Sequence, residues 1–125
     1  GYLSGKFTRD NPKSGSGARR DEFDFPPVDK EQVYDIIDEL KDMGDHHNVS
    51  AAEIALAWLR HKRAVTSTII GAKNAEQLKS NLHSVELELS DDEMKRLDEV
   101  SEIPTRYPLW MVNFQNSNRF PDQEE

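Results

Sequence analysis

One short segment limits the possible folds of this chain more than any other feature. Residues 65–70, Val-Thr-Ser-Thr-Ile-Ile, are largely β-branched and end at Gly71, which is the pattern of a β-strand. No other segment of the 125 residues has this pattern convincingly. A single strand cannot satisfy its own backbone hydrogen bonds, because a sheet needs neighbouring strands. We therefore predict part of a larger α/β protein whose partner strands lie elsewhere.

Four segments have the signature of capped amphipathic helices. Each starts with a capping residue followed three positions later by glutamate or glutamine: Asp29 with Gln32, Ser50 with Glu53, Asn74 with Gln77, and Ser90 with Glu93. In the first helix, apolar residues recur at helical spacing up to Met43, and Gly44 is predicted to end it. The other helices are predicted over 51–59, 75–83 and 91–100. The chain itself is thus expected to be mostly helical.

Composition excludes several classes of function. The chain has 24 acidic and 16 basic residues, and this net charge of −8 argues against a nucleic-acid binder, which needs a concentrated positive surface. It has no cysteine, which excludes disulfide scaffolds, thiolate zinc sites and cysteine nucleophiles. No apolar run approaches the length of a membrane span, and the first residues do not resemble a signal peptide. We expect a cytoplasmic protein without a nucleic-acid, membrane or metal partner.

The start of the chain differs in charge from the rest. Residues 1–20 hold five basic side chains and one acidic one, and they are rich in glycine and serine. This combination suggests a flexible loop suited to an anion. A solvated, disordered end has the same composition, so the residues alone leave both interpretations open.

The junction between the predicted strand and the third helix carries the clearest chemical signal. Helix N-termini present unpaired N–H groups and a partial positive charge, and therefore bind anions. Here Gly71 permits close backbone approach, and Lys73 adds a full charge. Gln77 and Asn81 lie four residues apart and share one helix face. This pattern is typical of a clamp for a phosphate and a base, although an ordinary capped helix with a surface lysine would also have it.

At these residues the chain resembles a known family. Residues 69–82, Ile-Ile-Gly-Ala-Lys-Asn-Ala-Glu-Gln-Leu-Lys-Ser-Asn-Leu, resemble the C-terminal nicotinamide-cofactor motif of the aldo-keto reductases. Residues 1–7 resemble the stretch just after strand 7 of that family's barrel, and residues 49–59 resemble the helix before strand 8. Residues 107–111, Tyr-Pro-Leu-Trp-Met, are similar to the tail of one bacterial-type subgroup. The match covers nearly the whole chain in the same order.

The resemblance implies a fold and a division of the chain. The family folds as a (β/α)8 TIM barrel, and this chain would supply its C-terminal part, from the end of strand 7 through helix 8 and the tail. Residues 1–125 would be one segment of a single barrel domain, with a cofactor-lid loop over 1–28 and a tail over 105–125. The missing N-terminal part of the barrel would then be its partner.

The resemblance also implies a reaction. The parent protein would reduce aldehydes or ketones, small carbonyl substrates, with NADPH in preference to NADH. In this family hydride passes to the carbonyl carbon, and a tyrosine helped by lysine, aspartate and histidine protonates the oxygen. Those four catalytic residues lie in earlier strands, and no tyrosine or histidine of this chain matches them. The chain alone is therefore expected to have no catalytic residue and no activity.

Family roles in cofactor binding transfer only to matching positions. The residues implied near the pyrophosphate are Leu3, Ser4, Gly5 and Lys6, those near the adenosine phosphate are Gly71 and Lys73, and those near the adenine are Gln77 and Asn81. Arg19, or its neighbour Arg20, would close the loop over the cofactor. Family members often have arginine at the position of Lys73, and the lysine keeps the charge but lacks the planar fork of arginine. Many have an acidic residue at the position of Ser80, which implies a weaker contact with the adenine here.

Two other functions stay open at this stage. The chain could belong to a non-catalytic, cofactor-sensing or regulatory protein that keeps the barrel, as the potassium-channel β subunits do while still resembling reductases. It could also be a helical interaction module, with the aromatic residues between Tyr107 and Phe120 as the interacting segment. The upstream catalytic residues separate the first two functions, and nucleotide binding separates both from the third.

Overall fold

The structure is a computed structural model that describes residues 1–13, 19–23 and 25–104, and the single positions 108, 111 and 115. The side chains of Arg19 and Arg20 lie outside the described part. So do Tyr107, Trp110, Phe114 and Phe120 of the predicted tail.

Five helices form the described part of the chain. They are α1 (Arg19–Glu22), α2 (Lys30–His47), α3 (Ala51–His61), α4 (Ala75–His83) and α5 (Asp91–Val100), with 3-10 turns at Tyr2–Ser4 and Ser84–Glu86. The four predicted helices are confirmed. Ser50 with Glu53 and Ser90 with Glu93 each form the reciprocal capping box that the sequence predicts. At α2 only half of the box forms, because Asp29 caps the helix while the Gln32 amide donates to the carbonyl of Glu102, 2.7 Å away.

The core lies between α2, α3 and α5. Its fully buried side chains include Leu40 and Met43 of α2, Ile54 of α3 and Leu97 of α5. A second cluster joins the start of the chain to α2 and consists of Tyr2, Phe7, Tyr34 and Ile37. Phe7 is only 2% exposed, so the first residues of the predicted lid loop are anchored to α2.

The predicted end of α2 at Gly44 is wrong. The helix continues to His47 and ends at Asn48, whose φ of 56° is in the left-handed region. Gly44 is buried inside the helix, where an added Cβ would lie 2.7 Å from the carbonyl oxygen of Val49. The glycine therefore lets the chain turn closely from α2 into α3, and asparagine supplies the helix end.

The predicted strand at residues 65–70 is also wrong for this structure. The segment is irregular, and the described residues contain no β-strand. A strand exists only with a neighbour to pair with, and the described part of the chain offers none. Ile69 is 98% exposed as a result. The β-branched run thus has strand composition without the pairing that would make it a strand.

No helix in the described ranges has both the length and the apolar character required to span a membrane.

Candidate functional site

The junction before α4 is a turn held by the side chains of that helix. Asn74 caps α4, its Oδ1 accepting from the backbone N–H of Gln77 at 2.9 Å. Gln77 in turn accepts from the N–H of Lys73 through Oε1, also at 2.9 Å, rather than from the capping residue as a capping box requires. Asn81 donates from Nδ2 to the carbonyl of Gly71 at 3.4 Å. The two residues predicted to contact a base therefore fix the turn that precedes their own helix.

One cavity joins this turn to the start of the chain. It has a volume of about 470 Å³, and its lining includes Leu3 and Ser4 together with Gly71 and Asn81. Apolar side chains of α3, among them Leu56, also line it. The structure thus brings together two segments about 70 positions apart, both of which the family resemblance assigns to the cofactor.

The other predicted site residues lie outside the cavity lining. Lys6 and Lys73 are exposed to solvent. Gly5 has a left-handed φ of 73° and ends the first 3-10 turn, close to α3 and to Lys41. Arg19 lies in the short helix α1. The described residues contain no cluster of three or more histidine, aspartate or glutamate side chains that could hold a metal ion.

Comparison with known proteins identifies the family of this chain. The family model described as the aldo/keto reductase family matches residues 1–102. This chain belongs to that family.

Individual relatives match from about half to most of this chain. Protein tas of Escherichia coli is 35% identical over 109 residues, which are 86% of this chain and 31% of tas. Norsolorinic acid reductase stcV of Emericella nidulans is 36% identical over 70 residues, or 56% of this chain and 18% of that protein. L-glyceraldehyde 3-phosphate reductase of E. coli O157:H7 is 36% identical over 61 residues, or 48% and 18%. The chain spans less than a third of the length of these relatives.

One of the five basic residues at the start of this aldo/keto reductase chain contacts side chains of α2 that the sequence did not predict. Arg9 donates from Nη1 to Glu31 and from Nη2 to Asp35 of α2, both at 2.5 Å. Its guanidinium also lies 5.5 Å from the centre of the Tyr34 ring. These partners are 22 or more positions away, so no local pattern signals them. Arg9 therefore joins the start of the chain to α2 through carboxylates of the protein itself.

Sequence analysis also missed the buried carboxylate of Glu53, because it assigned Glu53 only to the capping box of α3. Glu53 is 7% exposed. Its Oε2 accepts from the N–H and Oγ of Ser50 at 2.9 and 2.6 Å, and its Oε1 accepts from Nδ1 of His83 at 2.9 Å. Burial opposes ionisation, but hydrogen bonds from Ser50, His83 and Ser80 outweigh it and lower the pKa of Glu53 to about 2. The group is thus a carboxylate throughout the physiological range.

This lowered pKa predicts a specific loss of stability in acid. The folded-state pKa is below the ordinary value of 4.5, so the stabilisation is complete above pH 4.5 and is lost as pH falls towards 2. A shift of this size corresponds to about 3 kcal/mol. We expect Glu53→Gln to reduce the free energy of unfolding at pH 7. The difference in this free energy between the variant and wild type should shrink below pH 4.5. The control is Glu76→Gln, at an exposed position of α4. If the difference in unfolding free energy between wild type and the Glu53→Gln variant stays constant from about pH 7 to about pH 2.5, the assignment is contradicted.

Proposed function

We propose that this chain is the C-terminal part of a (β/α)8 barrel that reduces aldehydes or ketones with NADPH, and that it supplies the rim that binds the adenosine half of the cofactor. The observation that carries the proposal is the shared cavity. Leu3, Ser4, Gly71 and Asn81 all line it, so one extended ligand could contact both segments. The same four residues match family positions that bind the cofactor.

The turn before α4 has the properties that an anionic ligand needs. The helix start presents backbone N–H groups, and Lys73 is exposed beside it. An added Cβ at Gly71 would meet nothing within 4 Å. Packing within the described chain therefore gives no reason for a glycine there, whereas close approach of a phosphate to the backbone does. Lys73 would pair with the adenosine phosphate that distinguishes NADPH from NADH.

Exposed apolar side chains support the proposed barrel partner. Ile69 is almost fully exposed, and Leu78, Leu82 and Val85 are each more than two-fifths exposed. They belong to the irregular segment, to α4 and to the turn that follows it. The strands and helices of the remaining barrel would cover such side chains, and the irregular segment at 65–70 would pair there as strand 8. Relatives cover the same family region within chains about three times as long.

Catalysis itself would come from the preceding part of the barrel. We infer that this chain alone is inactive, because none of its residues matches the catalytic tyrosine, lysine, aspartate or histidine of the family. The lid loop over 1–28 and the tail over 105–125 remain part of this proposal. Two relatives, norsolorinic acid reductase and L-glyceraldehyde 3-phosphate reductase, are named as reductases, which favours a reductase over a regulatory barrel.

The test uses the full-length protein, meaning this chain together with the proposed preceding part. Its NADPH affinity is measured by fluorescence titration, and its NADPH consumption is followed with a panel of aldehydes and ketones. We expect saturable binding and turnover of at least one carbonyl compound. Binding without turnover would favour the regulatory barrel, and the absence of binding would reject both in favour of a helical interaction module.

A further inference from the structure

Hydrophobic packing holds α4 on α3 only weakly. The helix has no buried residue, and its two leucines, Leu78 and Leu82, are 44% and 55% exposed. Within the described part of the chain it packs mainly against α3 and the following 3-10 turn. Against α3, the helix that carries Gln77 and Asn81 therefore depends on polar contacts for its position.

One side chain of α4 reaches α3 with a hydrogen bond to the carboxylate of Glu53. His83 donates this bond from Nδ1 at 2.9 Å. An ionised carboxylate can only accept, so the Nδ1 atom of His83 carries a proton. Bonds to a buried, charged acceptor are among the stronger hydrogen bonds. Glu53 is itself fixed by Ser50 in the capping box of α3, so it forms a rigid anchor.

The anchor and the proposed cofactor contacts lie on adjacent faces of α4. At about 3.6 residues per turn, Gln77 and Asn81 follow one stripe, and Ser80 and His83 follow the next. The first stripe holds the turn at Gly71 and Lys73, and the second holds α3. A movement of α4 on α3 would therefore move the whole anion-binding turn.

We propose that Glu53, acting through His83, is a positioning residue for the adenosine half of the cofactor. It touches neither cofactor nor substrate but keeps α4 and its turn in the binding-competent place. This inference rests on the proposed function, because it assumes that the turn binds the cofactor. When only a fraction of molecules has α4 in place, the apparent dissociation constant rises by the inverse of that fraction.

The experiment compares histidine variants of the full-length protein. His83→Leu removes the donor, whereas His83→Asn keeps an N–H near the position of Nδ1. The matched control is His47→Leu, because His47 forms a comparable pair with Glu93 at 2.6 Å between α2 and α5, away from α4. Dissociation constants are measured for NADPH, for NADH and for adenosine 2′,5′-bisphosphate, which represents the adenosine half alone. Melting temperatures are recorded alongside.

We expect His83→Leu to raise all three dissociation constants about tenfold, a change of about 1.4 kcal/mol. His83→Asn should restore most of this affinity. His47→Leu should lower the melting temperature without changing affinity by more than about twofold. Glu53→Gln gives a second route if His83→Leu does not fold, and it should weaken the same ligands by a smaller factor because a neutral acceptor for His83 remains.

Two results would overturn the proposal. In one, wild type binds NADPH and the His83→Leu and Glu53→Gln variants bind it equally well, which rejects the positioning role and leaves the proposed function intact. In the other, His47→Leu weakens the cofactor as much as His83→Leu, which shows a general effect of stability. Wild type that binds no nicotinamide cofactor would instead reject the proposed function, and this inference with it.

Discussion

Replacing Lys73 with glutamate in the full-length protein is expected to weaken NADPH binding about 100-fold and NADH binding by less than about threefold. The two cofactors differ only in the adenosine phosphate, and Lys73 lies exposed beside the start of α4 where we place that group. The substitution removes an attractive charge pair and introduces a repulsive one, but only when the phosphate is present. Fluorescence titration with each cofactor measures the ratio directly.

A matched control separates this contact from the general charge of α4. Lys79→Glu makes the same change at an exposed position of the helix, beyond the turn that Gln77 and Asn81 hold. It should affect NADPH by only a few fold. Equal losses for NADPH and NADH in the Lys73 variant would rule out its pairing with the phosphate.

Replacing both Arg19 and Arg20 with alanine is expected to speed cofactor release about tenfold and to slow association much less. One of the two arginines, Arg19 or its neighbour, is assigned to closing the lid over the bound pyrophosphate, and contacts made after binding act mainly on the dissociation rate. Stopped-flow displacement of NADPH measures both rates. Because Phe7 and Arg9 are anchored to α2, any lid movement has to start beyond them.

The control for this pair removes two positive charges elsewhere. Arg63→Ala combined with Lys95→Ala gives the protein the same net charge as the Arg19 and Arg20 variant, and both positions are exposed. This variant should release NADPH at the wild-type rate. If the Arg19 and Arg20 variant slows association and leaves release unchanged, the two arginines only attract the cofactor from a distance, and residues 1–28 are not a lid.

Local patterns in the sequence predicted the helices well. Ser50 and Ser90 each start a helix where the capping box indicates, because the cap and its partner are only three residues apart. The glycine rule failed at Gly44, where the close passage of Val49 requires the small residue and Asn48 takes the left-handed position. Both glycine and asparagine can end a helix, so the pattern alone did not decide between them.

Long-range contacts were beyond such patterns. Glu53 and His83 are 30 positions apart, and Arg9 and Asp35 are 26 apart, so their pairing is visible only in the folded chain. The run at 65–70 has the composition of a strand, but strand formation depends on neighbours that the described residues do not contain. Gln77 and Asn81 were identified as one face of a helix, while their contacts with the turn needed the structure.

The most direct test of the cofactor site is hydrogen exchange of the full-length protein with and without saturating NADP⁺. We expect slower exchange with the cofactor in peptides covering residues 1–6, 11–20 and 70–82, because these segments would line or close the site. Peptides covering α5 serve as the internal control and should not change. If residues 11–20 alone stay unprotected, only the lid is rejected. Equal exchange of residues 70–82 in both states would contradict the assignment of this chain to the adenosine rim of the cofactor site.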